Sequence, residues 1–400
     1  MSTIHSPRCI TPPHLLEHLL RNKDGDVRRA AMRTLLSTAR LRGERTARAS
    51  FAAAAAPANG RRTVFDCRQS TFLPLAVTAR SEDGAPSADV SVNRAFDGLG
   101  ATRDFYRDVF DRNSIDGRGM RLDGYVHYDR DYNNAFWNGR VMVFGDGDGV
   151  IFSDFTGSLD VIGHELTHGV TEFTAGLEYH NQSGALNESI SDTFGSLVKQ
   201  WSLKQTADEA DWLIGSEVFT PDIAADALRS MKAPGTAYDN DLLGKDPQPD
   251  RMSTFVQLPD TDEGDNGGVH INSGIPNKAF YLAATYIGGY AWEGAGAIWY
   301  AALKASTADT NFQEFADTTA AKAADLFGSG GTEHQAVVAA WREVEIRVGG
   351  PLARGRVKPA PSPAPTWGDG AVAALNTRLD DLSKQVAALT KDVGTLKKKS

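Results

Sequence analysis

From Thr63 to about Gly157, apolar and polar residues alternate in short runs such as "TVFDCRQ", "RLDGYVHYD" and "RVMVFGDGDG", each broken by glycine or aspartate. A period of two bounded by turn residues predicts half-buried strands. One helical stretch interrupts them, "DVSVNRAFDGLGATRDFYRDVF". From Leu159 to about Val348 the apolar spacing lengthens to three and four, as in "NKAFYLAATYIGG" and "HQAVVAAWREVEIRV", and predicts helices. The chain therefore reads as α+β, a strand-rich half followed by a mainly helical half. Two flanking patterns differ from both. In "RCITPPHLLEHLL", residues 8–20, Pro12 and Pro13 fix an extended entry, and Leu15, Leu16, Leu19 and Leu20 form one face of a short helix. Near the C-terminus Leu375, Leu379, Leu382, Val386, Leu389, Val393 and Leu396 alternate in steps of four and three, a heptad seam with leucine at each d position. That seam predicts a homodimer through the tail, with a short helix docked on the body as the alternative.

Connectors separate these patterns. Residues 38–62, "TARLRGERTARASFAAAAAPANGRR", combine scattered arginines with an alanine run and read as an exposed, easily cut connector. Residues 351–370 are rich in proline and favour an extended spacer. The expected division is a basic head at 1–45, an easily cut linker at 46–60, a strand-rich lobe at 61–157, a helical lobe at 158–350, a spacer at 351–370 and a coiled-coil-like tail at 371–400.

Four hundred residues suffice for a core without disulfide staples, and two cysteines, Cys9 and Cys67, are too few for a disulfide framework or a cysteine-based zinc site. No stretch approaches the roughly 20 apolar residues of a membrane span. The first 30 residues also lack a signal peptide's apolar run. The net charge of −9 conceals a division: residues 1–62 hold 12 Lys and Arg against 4 Asp and Glu, so the remainder is strongly acidic. The basic head lacks the interleaved aromatics that stack on bases, which argues against nucleic acid and for a partner within the chain.

Candidate chemistry centres on "DVIGHELTHGV", residues 160–170. Four residues make about one helical turn, so His164 and His168 share a face and can hold one cation, with Glu165 beside it. Two such histidines alone are as readily ordinary hydrogen-bonded residues, and a hydrolytic zinc site needs a third protein ligand. "GALNESISDTFG", residues 184–195, offers Glu188 and Asp192 four apart among Leu186, Ile190, Phe194 and Leu197. Glu188 becomes the candidate ligand, and Asp192 the acceptor for the second ring hydrogen of His164. A solvated acidic stripe is the other reading, and the apolar neighbours argue against it.

Together "GHELTHGVTEFTAGLEYHNQSGALNESISDTFGSLV", "DNGGVHINSGIPNKAFY" and "YNNAFWNGRVMVFGDGDG" closely resemble the thermolysin-like zinc metalloproteases over about residues 61–348. The resemblance implies a bilobal fold with the active-site helix between the lobes. It also implies a neutral endopeptidase acting on proteins and peptides, with one catalytic zinc on His164, His168 and Glu188 and with Glu165 as general base. Tyr179 and His270 would steady the oxyanion, with Asp265 orienting His270. Asn134 and the backbone of Ala135 would hold substrate as an added strand, and Arg229 would bind its carbonyl. Phe152, Phe155, Val161, Ile214, Val218 and Leu228 would line a pocket for the residue after the cut, with Phe155 standing where a smaller leucine is familiar.

In the best-known members two calcium ions share five acids. Only Asp160 and Asp211 match here, with Lys199, Leu213 and Ser216 at the other places. The double calcium site reads as lost, with Lys199 neutralising Asp160 and Asp211 itself. Thr220 and Asp226 in "FTPDIAAD" keep the elements of another calcium loop. The proline-leucine segment resembles the short prosegment of protealysin-like precursors, which block their own active site. This resemblance implies that the head at 1–45 is a prosegment and that the linker at 46–60 holds its processing site. Cys9 would then place its sulfur on the open zinc position. The family is largely extracellular, which implies secretion without a classical signal, with a cytoplasmic location as the alternative. The rival function is a non-catalytic zinc-containing scaffold that holds or adheres to peptides.

Overall fold

The structure, a computed structural model, describes residues 8–48 and 60–349. The spacer, the heptad tail and most of the processing linker lie outside the described residues.

The strand-rich half forms one mixed sheet of β1 (Arg8–Cys9), β2 (Arg62–Asp66), β3 (Val77–Ser81), β4 (Leu122–Val126), β5 (Ala135–Trp137) and β6 (Met142–Phe144), in the order β1-β5-β6-β4-β2-β3. Strand β4 runs parallel to β2 and β6, and the other pairs are antiparallel. Leu122 and Val126 point inward from β4 between half-exposed neighbours, the expected period of two. In β5 and β6 every residue is buried, so no alternation marks the substrate edge. Helix α3 (Val90–Phe110) packs on β2 and β4. It starts where the Asp89 carboxylate accepts the Ser91 and Val92 amides, a standard N-cap.

Strand β1 comes from the N-terminal segment. Behind it α1 (Pro13–Leu19) buries Leu15, Leu16 and Leu19. Helix α2 (Gly25–Arg48) follows and runs through residues 38–48, which the sequence pattern assigns to an exposed connector. Arginine, alanine and leucine are strong helix formers, and the scattered charges do not interrupt the turn. Thr34 and Thr38 are buried. The Thr34 hydroxyl accepts the Asn133 amide at 3.0 Å, Thr38 meets the Tyr132 hydroxyl at 3.0 Å, and Ser37 donates to Asp129 at 2.7 Å. Helix α2 is thereby fastened to the loop that leads into β5.

The helical half contains α4 (Leu159–Glu172), α5 (Asn181–Leu203), α6 (Asp265–Asn272), α7 (Gly274–Ile287), α8 (Ala295–Ala305), α9 (Phe312–Phe327) and α10 (Thr332–Glu343). Helices α4 and α5 touch backbone to backbone at Gly163 and Gly195. A Cβ on Gly195 would lie 2.4 Å from the Asp160 carbonyl oxygen and 2.9 Å from the His164 nitrogen. This closeness carries α5's acids to α4's histidines. Farther out, Trp299 and Trp341 stack at 6.0 Å, and the Trp341 indole donates to Thr319 at 2.8 Å. No helix among the described residues is long and apolar enough to cross a membrane.

Candidate active site

His164 and His168 project from one side of α4 toward Glu188 on α5, and all three are fully buried. The Glu188 carboxylate lies 3.5 Å from His164 Nε2 and 3.4 Å from His168 Nε2. Among the described residues these form the one cluster of three potential metal-binding side chains, with ligand atoms within 4.8 Å of one another. Two nitrogens and a carboxylate oxygen are the donor set of a hydrolytic zinc site. Among the described residues His164 Nε2 and Glu188 Oε2 are buried without a hydrogen bond, a cost that a coordinated cation would remove. The far side of each imidazole is pinned: His164 Nδ1 donates to Asp192 at 2.8 Å, and His168 Nδ1 faces Asn187 Oδ1 at 2.8 Å and Ser191 Oγ at 2.9 Å.

Asp192 gathers four donors, since Arg229 reaches it twice, at 2.7 and 2.8 Å, and Asn277 once, at 2.8 Å. Burial opposes its charge, yet Arg229 and His164 outweigh burial and hold the carboxyl well below the usual carboxylate range. Asn187 and Ser191 lie in the same motif as Glu188, where spacing alone could have flagged them. Asn277, 85 residues from Asp192, lies in the quoted "DNGGVHINSGIPNKAFY" stretch, but no local spacing points it at Asp192.

Glu165 is fully buried. One of its oxygens accepts the Trp137 amide at 2.9 Å, and the other has no hydrogen-bond partner among the described residues. Burial and the nearby Glu188 carboxylate push its carboxyl well above the ordinary range; a divalent cation beside them inverts that balance. Across the site, the Tyr179 hydroxyl donates to Glu188 and lies 3.2 Å from His270 Nε2. His270 reaches this point because the turn before it is left-handed throughout, with positive φ at Asp265, Asn266, Gly267 and Gly268. Its Nδ1 donates to Asp265 Oδ1 at 2.6 Å, and its amide donates to Oδ2 at 2.8 Å. Burial disfavours the charged ring, but Asp265 and Glu188 outweigh it and raise His270 to about 9.

The N-terminal segment occupies the groups expected to hold substrate. Ile10 N–H donates to the Ala135 carbonyl at 3.2 Å, and Thr11 N–H donates to Asn134 Oδ1 at 2.9 Å. Arg229 donates to the Ile10 carbonyl at 3.0 Å, and His270 Nε2 to the Cys9 carbonyl at 3.0 Å. Cys9, whose sulfur is expected on the zinc, is not part of the group of potential metal ligands found among the described residues. Pairing β1 antiparallel to β5 places the Cys9 side chain in an apolar cluster with Tyr128, Tyr132, Phe136 and Val143, and its main-chain oxygen accepts from His270 in the site. Cys67 lies in the same cluster, where burial pushes its thiol up to about 12. One interface residue escaped the sequence reading: half-buried His14 meets the Tyr238 hydroxyl at 3.0 Å, and desolvation of its ring lowers the imidazole to about 4.

Phe152, Phe155, Val161, Ile214, Val218 and Leu228 are all buried in the main core, as is Ile10. Lys199 sits among acids: its ammonium lies 2.9 Å from Asp211, 3.5 Å from Asp160 and 3.4 Å from Glu217. Ser216 Oγ accepts from it at 3.4 Å, while Leu213 forms a short strand pair with Ser230. In the other expected loop, the Thr220 hydroxyl donates to the Val150 carbonyl at 2.7 Å and Asp226 is exposed.

Two packed helices that present two histidines and a glutamate beneath the edge of a sheet define a zinc metallopeptidase. The thermolysin metallopeptidase catalytic domain matches residues 64–172 and its alpha-helical domain residues 175–346. The chain belongs to the thermolysin family and is a metalloendopeptidase. It is 47% identical over 345 residues to "Extracellular metalloprotease" of Pectobacterium carotovorum subsp. carotovorum, covering 86% of this chain and 97% of that one. Identity to "Thermolysin" of Alicyclobacillus acidocaldarius subsp. acidocaldarius is 41%, over 70% of this chain and 50% of that protein. In fold it resembles the precursor of protealysin, a metalloproteinase from Serratia proteamaculans, with a TM-score of 0.76 and 50% identity, covering 85% of this chain and 99% of that chain.

Proposed function

We propose that the protein is made as a self-processing zymogen and, once processed, acts outside the cell as a neutral endopeptidase that cuts before hydrophobic residues. In this reading His164, His168 and Glu188 hold the zinc, which when bound polarises the peptide carbonyl and lowers the pKa of water. Glu165 takes a proton from the attacking water through its unpartnered oxygen and passes it to the leaving nitrogen. Tyr179 and His270 donate to the oxygen that gains charge, with Asp265 keeping His270 protonated and aimed. Asn134 and the Ala135 carbonyl align the peptide as an added strand, and Arg229 fixes the carbonyl after the cut. Asp192 steadies His164 and Arg229 together.

One observation carries the reading: the backbone of residues 9–11 already satisfies four groups assigned to substrate, namely His270, Ala135, Arg229 and Asn134. A segment bound in this way excludes other peptides until the linker is cut. Secretion draws support from the extracellular relative. The test is Glu165→Gln. Zinc content should stay at one per chain while hydrolysis of casein, and loss of the prosegment, slow by about 10³-fold or more. A wild-type protein that binds peptides and zinc but never hydrolyses them would instead be a scaffold.

A further inference from the structure

The register of the N-terminal strand does more than obstruct. Two carbonyls flank the Cys9–Ile10 peptide bond, and different groups hold them. The Cys9 oxygen takes the His270 Nε2 hydrogen at 3.0 Å, with the Tyr179 hydroxyl 3.2 Å from that same nitrogen. The Ile10 oxygen takes the Arg229 guanidinium at 3.0 Å. Between them the Ile10 amide donates to Ala135. The first carbonyl thus takes a hydrogen from His270, one of the two groups placed to stabilise an oxyanion, with the other, Tyr179, beside that donor; the second faces the anchor for the residue after the cut, and the Ile10 side chain is fully buried.

We propose that Cys9–Ile10 is itself a substrate bond, so that the prosegment is a temporary inhibitor that the enzyme destroys. This rests on the zymogen reading above. The step is hydrolysis: the oxygen of one water adds to the Cys9 carbonyl carbon and the C–N bond breaks. Cys9 leaves as a carboxylate, and Ile10 leaves as an ammonium group. While α1 and α2 remain docked, their bonds to Tyr238, Asp129, Tyr132 and Asn133 hold the new Ile10 end in place, and the pairing of Arg8 and Cys9 with β5 holds the Cys9 end beside it. The cut segment stays bound and the two ends can rejoin. Once the linker is severed and the docked helices release, cutting this bond removes the strand that fills the site.

The full-length protein is incubated until casein activity appears, and its fragments are identified by mass at successive times. A fragment ending in Cys9 and one beginning with Ile10 are expected, appearing no later than activity does. An Ile10→Asp chain should be cut there at least about 100-fold more slowly. A casein-active preparation whose prosegment persists across Cys9–Ile10, or is consumed only by cuts elsewhere, overturns the proposal and leaves the protease reading intact. Absence of all hydrolysis overturns both. Register is checked separately in the Glu165→Gln precursor by hydrogen exchange, where the Ile10 and Thr11 amides should exchange at least about 100-fold more slowly than exposed amides. Fast exchange at both positions also overturns it.

Discussion

Two acid-bearing clusters are built on α4 and α5, and they meet their positive charge in opposite ways. Around Asp160, the Lys199 ammonium is part of the chain and reaches three carboxylates. One turn along α4, His164, His168 and Glu188 turn donor atoms toward one another as a group that could hold a metal ion. A covalently attached ammonium cannot exchange or polarise a bound substrate, and it makes local stability independent of metal supply. An exchangeable ion can do the chemistry, but it leaves the site dependent on solution conditions. The same helix pair separates a structural charge from a catalytic one.

The widest separation should come from chelators. Removing zinc with a strong chelator should reduce peptidase activity by more than about 10⁴-fold, a loss that one equivalent of zinc restores. A chelator selective for calcium should leave the melting temperature within about 1 °C if Lys199 is the cation of its cluster. A large calcium-dependent shift in the thermal melt would break the comparison.

Lys199→Met is the next largest effect. It strands the fully buried Asp160 carboxylate and should cost about 2–4 kcal/mol, read as a drop of several degrees in Tm. Adding Asp160→Asn should recover part of the loss. Asp192→Asn probes the other cluster without touching a ligand. Zinc affinity, followed by competition with a chromophoric chelator, should fall about 10- to 100-fold, and KM should rise as Arg229 loses its anchor.

His127 sharpens the contrast as an intermediate case, a built-in cation that pH can switch off. It bridges Asp146 at 2.8 Å and Asp89 at 2.9 Å. The Asp146 hydrogen bond, opposed by burial and reinforced by Asp89, raises it to about 9. A raised imidazole contributes stability that is complete below the unfolded value of about 6.5 and is lost as pH climbs through 9. His127→Gln should therefore cost about 1 kcal/mol near pH 6 and almost nothing at pH 10, as measured by denaturant unfolding at both pH values. Equal losses at both would assign His127 a packing role only.

The sequence alone determined whatever repeats with a local period. His164, Glu165 and His168 share a helix face because 3.6 residues make a turn. Leu15, Leu16 and Leu19 mark a buried face, whereas the pairing of Lys199 with Asp160 and Asp211 is implied only by the resemblance, since no acid lies beside Lys199 in the sequence. The sequence did not determine where the helix through residues 38–48 would end, because its arginines fit a helix and an exposed connector equally. Tertiary structure decided everything that depends on register or long-range contact. Glu188 meets the histidines because Gly163 and Gly195 let two backbones touch, and Arg229 and Asn277 converge on Asp192 across 37 and 85 residues. For Cys9 the residue type suggested a thiolate on zinc, yet strand pairing sent the sulfur to an apolar cluster and the carbonyl to His270. A shift of one residue along a strand exchanges its two faces, and main-chain hydrogen bonds, which every residue type can make, leave no mark in the sequence that would reveal the choice.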